Sequence, residues 1–188
     1  NVDGIVFDLG VSSHQLDTSA RGFSYRFAQA PLDLRLDQTQ GTPASDIVNT
    51  FSKDELYELF TRFGEEQLAG AIADSLVRTR RMKPIRTTGD LVAVVVPLVK
   101  RPMHLRATLS RVFQALRIAT NDELTNLRKG LIEAYRVLAP HGRLAVISFH
   151  SLEDRIVKQT MAGDGWHVLA KNPIRAIDEE VVHNPRAK

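Results

Sequence analysis

Apolar residues open the chain almost at once. Val2 to Leu9 is dense in apolar, β-branched positions and is stopped by Gly10, which predicts a buried strand. Loop chemistry follows from 10 to 45, with Gly10, Ser12, Ser13, Gly22, Pro31, Gly41 and Pro43, and little regular structure is expected there. Helical spacing then takes over. Ser52-Lys53-Asp54-Glu55 is a capping box followed by Leu56, Leu59, Phe60 and Phe63 on one face, with Gly64 as the stop. Leu68, Ile72 and Leu76 mark a second helix that ends in Arg78, Arg80 and Arg81. Thr87 to Asp90 caps a third helix running through Val96, and Pro102 is expected to break the chain. Leu105 to Ala119 reads as a fourth helix. Asn121 reads as the cap of a fifth, which carries Leu124, Leu127, Leu131, Tyr135 and Leu138. Pro140-His141-Gly142 predicts a turn before a second buried strand over 144–147. Ser151 is the expected cap of a short helix bearing Ile156 and Val157, and a last strand is expected over 166–170.

Strand, a run of helices, strand, helix, strand is the order of an α/β protein with a parallel, helix-covered sheet. Residues from about Leu36 to Arg106 form a helical block inserted between the first strand and the helix that leads to the second. Three strands are few for such a sheet, and Asn1 is not a start methionine, so the chain reads as part of something longer.

Composition narrows the chemistry. The 188 residues include no Cys, which excludes disulfides, thiolate metal sites and a Cys nucleophile, and which fits a cytoplasmic setting. The longest apolar run, Leu91 to Val99, is far short of the roughly 20 residues a bilayer requires. Six histidines show no ligand spacing, so no metal is expected. Neither a phosphate-binding Gly-x-x-x-x-Gly-Lys loop nor Gly-x-Gly-x-x-Gly occurs.

Charge changes the picture more than its net value of +3 suggests. Between 78 and 117 lie ten basic residues (Arg78, Arg80, Arg81, Lys83, Arg86, Lys100, Arg101, Arg106, Arg111 and Arg117) and a single acid, Asp90, for a net +9. The remainder carries fifteen basic and twenty-one acidic residues, a net of −6. A basic stripe on an acidic body is the footprint of a polyanion partner, and such binding weakens steeply with salt. A solvated basic helix, with Arg80 and Arg81 favoured by a helix C-terminus, is the plainer alternative.

Two polar strand ends stand out. Asp8, Ser12 and Ser13 follow the first strand, and Ser148-Phe149-His150-Ser151 follows the second. In open α/β sheets ligands bind at the carboxyl ends of the strands. The competing reading has Asp8 and the serines serving only turns and helix caps.

Several blocks then become recognisable. Asp3-Gly4-Ile5-Val6-Phe7-Asp8-Leu9-Gly10-Val11-Ser12-Ser13-His14-Gln15-Leu16-Asp17, Arg21-Gly22-Phe23-Ser24-Tyr25 and Pro31-Leu32-Asp33-Leu34-Arg35-Leu36-Asp37 come first. Phe113-Gln114-Ala115-Leu116-Arg117-Ile118, Asn121-Asp122-Glu123-Leu124, the stretch Gly142 to Arg155 and Asn184-Pro185-Arg186-Ala187 follow in order. Together they resemble the bacterial 16S ribosomal RNA cytosine-N4 methyltransferases. The resemblance implies a truncated class I, Rossmann-like S-adenosylmethionine-dependent methyltransferase sheet over 1–35 and 107–188, with an inserted helical substrate-recognition domain over 36–106. It also implies that Asp8 and Gln15 touch S-adenosylmethionine. The family's other cofactor contacts would precede Asn1 and its final strand would follow Lys188, so residues 1–188 alone are expected to bind RNA without transferring methyl groups.

The remaining roles follow from chemistry. Transfer to a cytosine exocyclic amine needs acceptors for its N–H, and Ser12, Ser13 and Ser148 are candidates, with His150 as proton acceptor. The cations Arg78, Arg80, Arg81, Lys83, Arg86, Lys100, Arg101 and Arg106 are candidates for contact with ribosomal RNA or the 30S particle. A non-catalytic RNA-binding module is the alternative function. No membrane partner is expected, and the oligomeric state is left open, a dimer included.

Overall fold

A computed structural model describes residues 1–170 and 172–183. Its elements run β1 (Val2–Asp8), α1 (Ser13–Asp17), α2 (Ala44–Thr50), α3 (Lys53–Gly64), α4 (Ala69–Met82), α5 (Thr88–Val95), α6 (Pro102–Asn121), α7 (Glu123–Val137), β2 (Leu138–Ile147), α8 (Ser151–Met161) and α9 (Asp178–His183). They form a mixed α/β protein in two compact units, one of residues 1–10 with 124–188 and one of residues 11–123. The boundaries expected at 35/36 and 106/107 both fall inside the second unit.

In the first unit β1 and β2 pair in parallel as a two-stranded sheet. Parallel pairing needs a long crossover, and more than a hundred residues separate the strands. Leu127, Leu131 and Ile156, from α7 and α8, pack with Phe7, Leu144 and Val146 of the strands and with Leu9 just past β1. That is one covered face. The other is open: Val6 is 69% and Ile147 49% exposed, so the strands are half-buried rather than buried as their composition suggested. β2 also begins earlier than expected, at Leu138 rather than 144. Val2 pairs with Leu138 but Gly4 with Arg143, so the predicted Pro140-His141-Gly142 turn becomes an irregularity inside the strand, with His141 at φ 67°. Residues 166–170, expected as a strand, form no regular element.

The second unit holds the larger core. Leu56, Phe60, Leu76, Leu91, Val112 and Leu116 are fully buried among α3 to α6. α3 and α6 approach so closely that a Cβ on Gly64 would lie 2.9 Å from the Arg111 carbonyl oxygen. The capping boxes read from sequence are present: Ser52 with Glu55 on α3 and Thr87 with Asp90 on α5. α6 starts at Pro102 itself, since a missing N–H is harmless at the first helical position. Asn121 is the last residue of α6, two positions before α7 begins. Asp122 follows as the C-cap of α6 at φ 48°, and Asn121 bonds the Leu34 carbonyl and the Leu36 N–H.

Of the stretch 10–45, expected to hold little regular structure, Ser13–Asp17 forms α1 and Ser19–Arg21 a 3-10 turn, while 22–43 is irregular yet tied down. Leu32 N–H donates to Arg86 O, Ala44 N–H to Asp33 O, and Arg21 reaches the carbonyls of Arg35 and Leu36. Leu32 and Leu34 are 1% exposed. Those contacts hold Leu34 at φ 63°, a left-handed conformation that costs a non-glycine residue energy. Helix α2 follows, which the sequence pattern had not marked. No helix among the described residues is long and apolar enough to cross a membrane.

Candidate functional site

Asp8 ends β1 opposite Ile147 of β2, and the chain continues the ladder by one bond, Leu9 N–H to Ile147 O at 3.2 Å. The two strand ends of the first unit therefore lie side by side. Asp8 is exposed and its carboxylate has no hydrogen-bond or ionic partner among the described residues. Ser148 is half-buried at the matching end of β2.

His150 is half-buried, and it, not Ser151, caps α8. Its Nδ1 accepts the Glu153 N–H at 3.4 Å, while Glu153 Oε2 accepts the N–H groups of Phe149 at 2.8 Å and His150 at 3.3 Å. The His150 Nε2 lies 3.2 Å from Glu153 Oε1, off the line of a good hydrogen bond. Both side chains are removed from solvent, His150 at 9% and Glu153 at 4% exposure. Sequence reasoning missed Glu153. Its position three residues after the cap was the available signal, but histidine is an unusual N-cap and Ser151 looked the better one.

In the second unit, Ser12 and Gln15 form the capping box of α1. Ser12 Oγ accepts the Gln15 N–H at 3.3 Å, and the Gln15 side-chain oxygen accepts the Ser12 N–H at 2.9 Å. The Gln15 amide NH2 remains available, and Ser13 is exposed. Within the first unit, the unpartnered carboxylate of Asp8 offers acceptors for the amino or hydroxyl groups of a ligand at the strand ends.

The basic stripe separates into three kinds of cation. Arg80 donates to the carbonyls of Val48 and Phe51 and so closes the end of α2. Arg111 pairs at 2.6 Å with Glu66, whose side chain is 1% exposed, and Arg117 grips Glu123 with two hydrogen bonds. These three serve the fold. Arg78 pairs with Asp74, and Lys83 with Asp90. Arg81, Arg86, Lys100, Arg101 and Arg106 are exposed and make no ion pair among the described residues.

Asp90 carries a testable pH signature. The Lys83 ammonium at 2.8 Å, the N–H groups of Thr87 and Arg86 and the Thr87 hydroxyl hold its carboxyl far below the usual carboxylate range, against the opposing effect of burial. A depressed folded-state pKa stabilises the protein above the unfolded-state value near 4 and is lost as pH falls below it. Asp90→Asn keeps an oxygen for the cap but cannot ionise. Its stability deficit relative to wild type is expected at pH 6 and should shrink between about pH 4 and pH 2, read by urea melts. A constant deficit across that range would show that Asp90 ionisation is not coupled to folding.

Comparison with known proteins bears on these sites. The model of the MraW methylase family matches residues 1–188. The ribosomal RNA small subunit methyltransferase H of Thermomicrobium roseum is 46% identical over 206 residues, covering all of this chain and 63% of its own length. That of Methylococcus capsulatus is 47% identical and shares 67% of its length with all of this chain; that of Picosynechococcus sp. is 48% identical, with 99% of this chain and 64% of its own length covered. The chain thus spans less than two thirds of the Thermomicrobium relative. A family model matched from the first residue to the last, and relatives nearly half identical along the whole chain, place it plainly: the chain belongs to the MraW methylase family.

Proposed function

We propose that the full-length protein transfers a methyl group from S-adenosylmethionine to the exocyclic N4 amine of a cytidine in small-subunit ribosomal RNA. The observation that carries the reading is the paired end of β1 and β2, with an unpartnered Asp8 on one strand and Ser148 on the next, in a chain whose relatives are named ribosomal RNA small subunit methyltransferases. Asp8 and Gln15 are assigned to the cofactor, which when bound supplies an electrophilic sulfonium methyl. Ser12, Ser13 and Ser148 are assigned to the N–H groups of the amine. Its lone pair is delocalised into the pyrimidine ring, so acceptors that draw on the N–H as charge develops favour the attack. Chemistry on the amine needs no covalent adduct, which suits a chain without Cys.

Residues 36–106 are assigned to substrate recognition, with 1–35 and 107–188 belonging to the methyltransferase domain. The exposed cations would hold RNA phosphates while an unpaired target base is splayed out for the transfer. The test is incubation of the full-length protein with 30S particles and labelled S-adenosylmethionine, followed by nucleoside mass spectrometry. N4-methylcytidine is the expected product. A label on carbon 5 would refute the amine assignment, and RNA binding without incorporation would favour a non-catalytic RNA-binding module.

A further inference from the structure

Helix α8 is capped more elaborately than a helix requires. Ser52 and Glu55 cap α3 with a hydroxyl and an exposed acid. At α8 the corresponding residues are an imidazole and a carboxylate, both withdrawn from water. Burying a carboxylate is costly unless its lone pairs are satisfied. Glu153 meets that cost with the Phe149 and His150 N–H groups, which belong to the two residues immediately after Ser148. The carboxylate thus clamps the backbone where β2 leaves the sheet beside Asp8.

The ring of His150 is held in the same clamp. Nδ1 accepts a backbone N–H, so the proton of the neutral ring resides on Nε2. Nε2 is itself buried and faces Glu153 Oε1. Neither nitrogen is presented to a substrate. From this geometry we propose that His150 and Glu153 are a positioning pair that fixes the Ser148–His150 turn for methyl transfer, and that His150 does not accept the substrate proton. The proposal rests on reading the β1 and β2 ends as the methyl-transfer site, and it replaces the proton-acceptor role expected for His150.

Three variants of the full-length enzyme test it. His150→Asn retains an oxygen that can take the capping N–H, and should keep kcat within about fivefold of wild type with a superimposable pH–rate profile. Glu153→Ala frees both amides and should lower kcat about 10- to 100-fold, with KM for S-adenosylmethionine changed less than about threefold. Glu153→Gln retains a carbonyl for the Phe149 N–H and should recover most of the lost rate. A 1000-fold fall in kcat for His150→Asn, with loss of a pH inflection, would overturn the proposal, as would Glu153→Ala and Glu153→Gln variants that turn over like wild type. Imidazole nitrogen chemical shifts supply a readout independent of turnover. A proton on Nε2 with an unprotonated Nδ1 is expected, and a proton on Nδ1 would refute the clamp. A wild-type enzyme that transfers no methyl would instead refute the site reading, with the tautomer still deciding whether the clamp exists.

Discussion

Asp8→Ala in the full-length protein is expected to abolish detectable methyl transfer chiefly by weakening cofactor binding. Asp8 occupies the end of β1, exposed and without a partner among the described residues. Its ladder contacts are made by backbone atoms, which alanine also supplies, so the fold should survive. A hydrogen bond to a charged group is worth about 1.5–3 kcal/mol, which corresponds to a roughly 10- to 150-fold loss of affinity. Calorimetric titration with S-adenosylmethionine measures it directly, alongside a thermal melt to confirm folding. An unchanged dissociation constant would remove Asp8 from the cofactor site. Asp8→Asn adds a control for charge, since it keeps an acceptor oxygen and loses only the ionic component.

The second large effect concerns RNA. Replacing Arg81, Arg86, Lys100, Arg101 and Arg106 together by Gln is expected to weaken binding to small-subunit ribosomal RNA and to flatten its salt dependence. Each phosphate contact contributes about 0.7 to the slope of log affinity against log salt on single strands, so five lost contacts reduce it by about 3.5. Stability should change little, because none of the five is ion-paired among the described residues and all are exposed. Arg80→Gln, Arg111→Gln and Arg117→Gln should behave in the opposite way. Those side chains hold carbonyls or carboxylates, and removing the Arg111 partner strands a buried Glu66, so these variants should lower stability without changing the salt slope of the folded protein. Equal salt slopes for the fivefold variant and wild type would show that the basic stripe is a solvated surface.

Much of this molecule was legible along the chain because the signals are local. Ser52 and Glu55, or Thr87 and Asp90, are three residues apart, and a cap needs nothing beyond that spacing. Apolar periodicity marked α3, α4, α6 and α7, and the two apolar runs marked β1 and the end of β2. The polar strand ends were visible for the same reason. Tertiary structure decided what depends on partners distant in sequence. Composition cannot tell that Arg80 is tied to Val48 and Phe51 while Arg81 beside it is exposed. The segment 22–45 looks like loose loop chemistry until Arg86, Asn121 and the core take up its backbone and apolar groups. β2 extends through Pro140 and Gly142 because β1 lies alongside to pair with it, with the register shifting to absorb the extra residues. His150 became a cap because its ring nitrogen and the Glu153 carboxylate close a turn that burial makes exacting, and an exposed serine next door could not show this. Helices and strand cores were therefore set by short-range pattern, whereas which polar group meets which was set by the folded chain, since a buried donor or acceptor must find its partner wherever packing brings one.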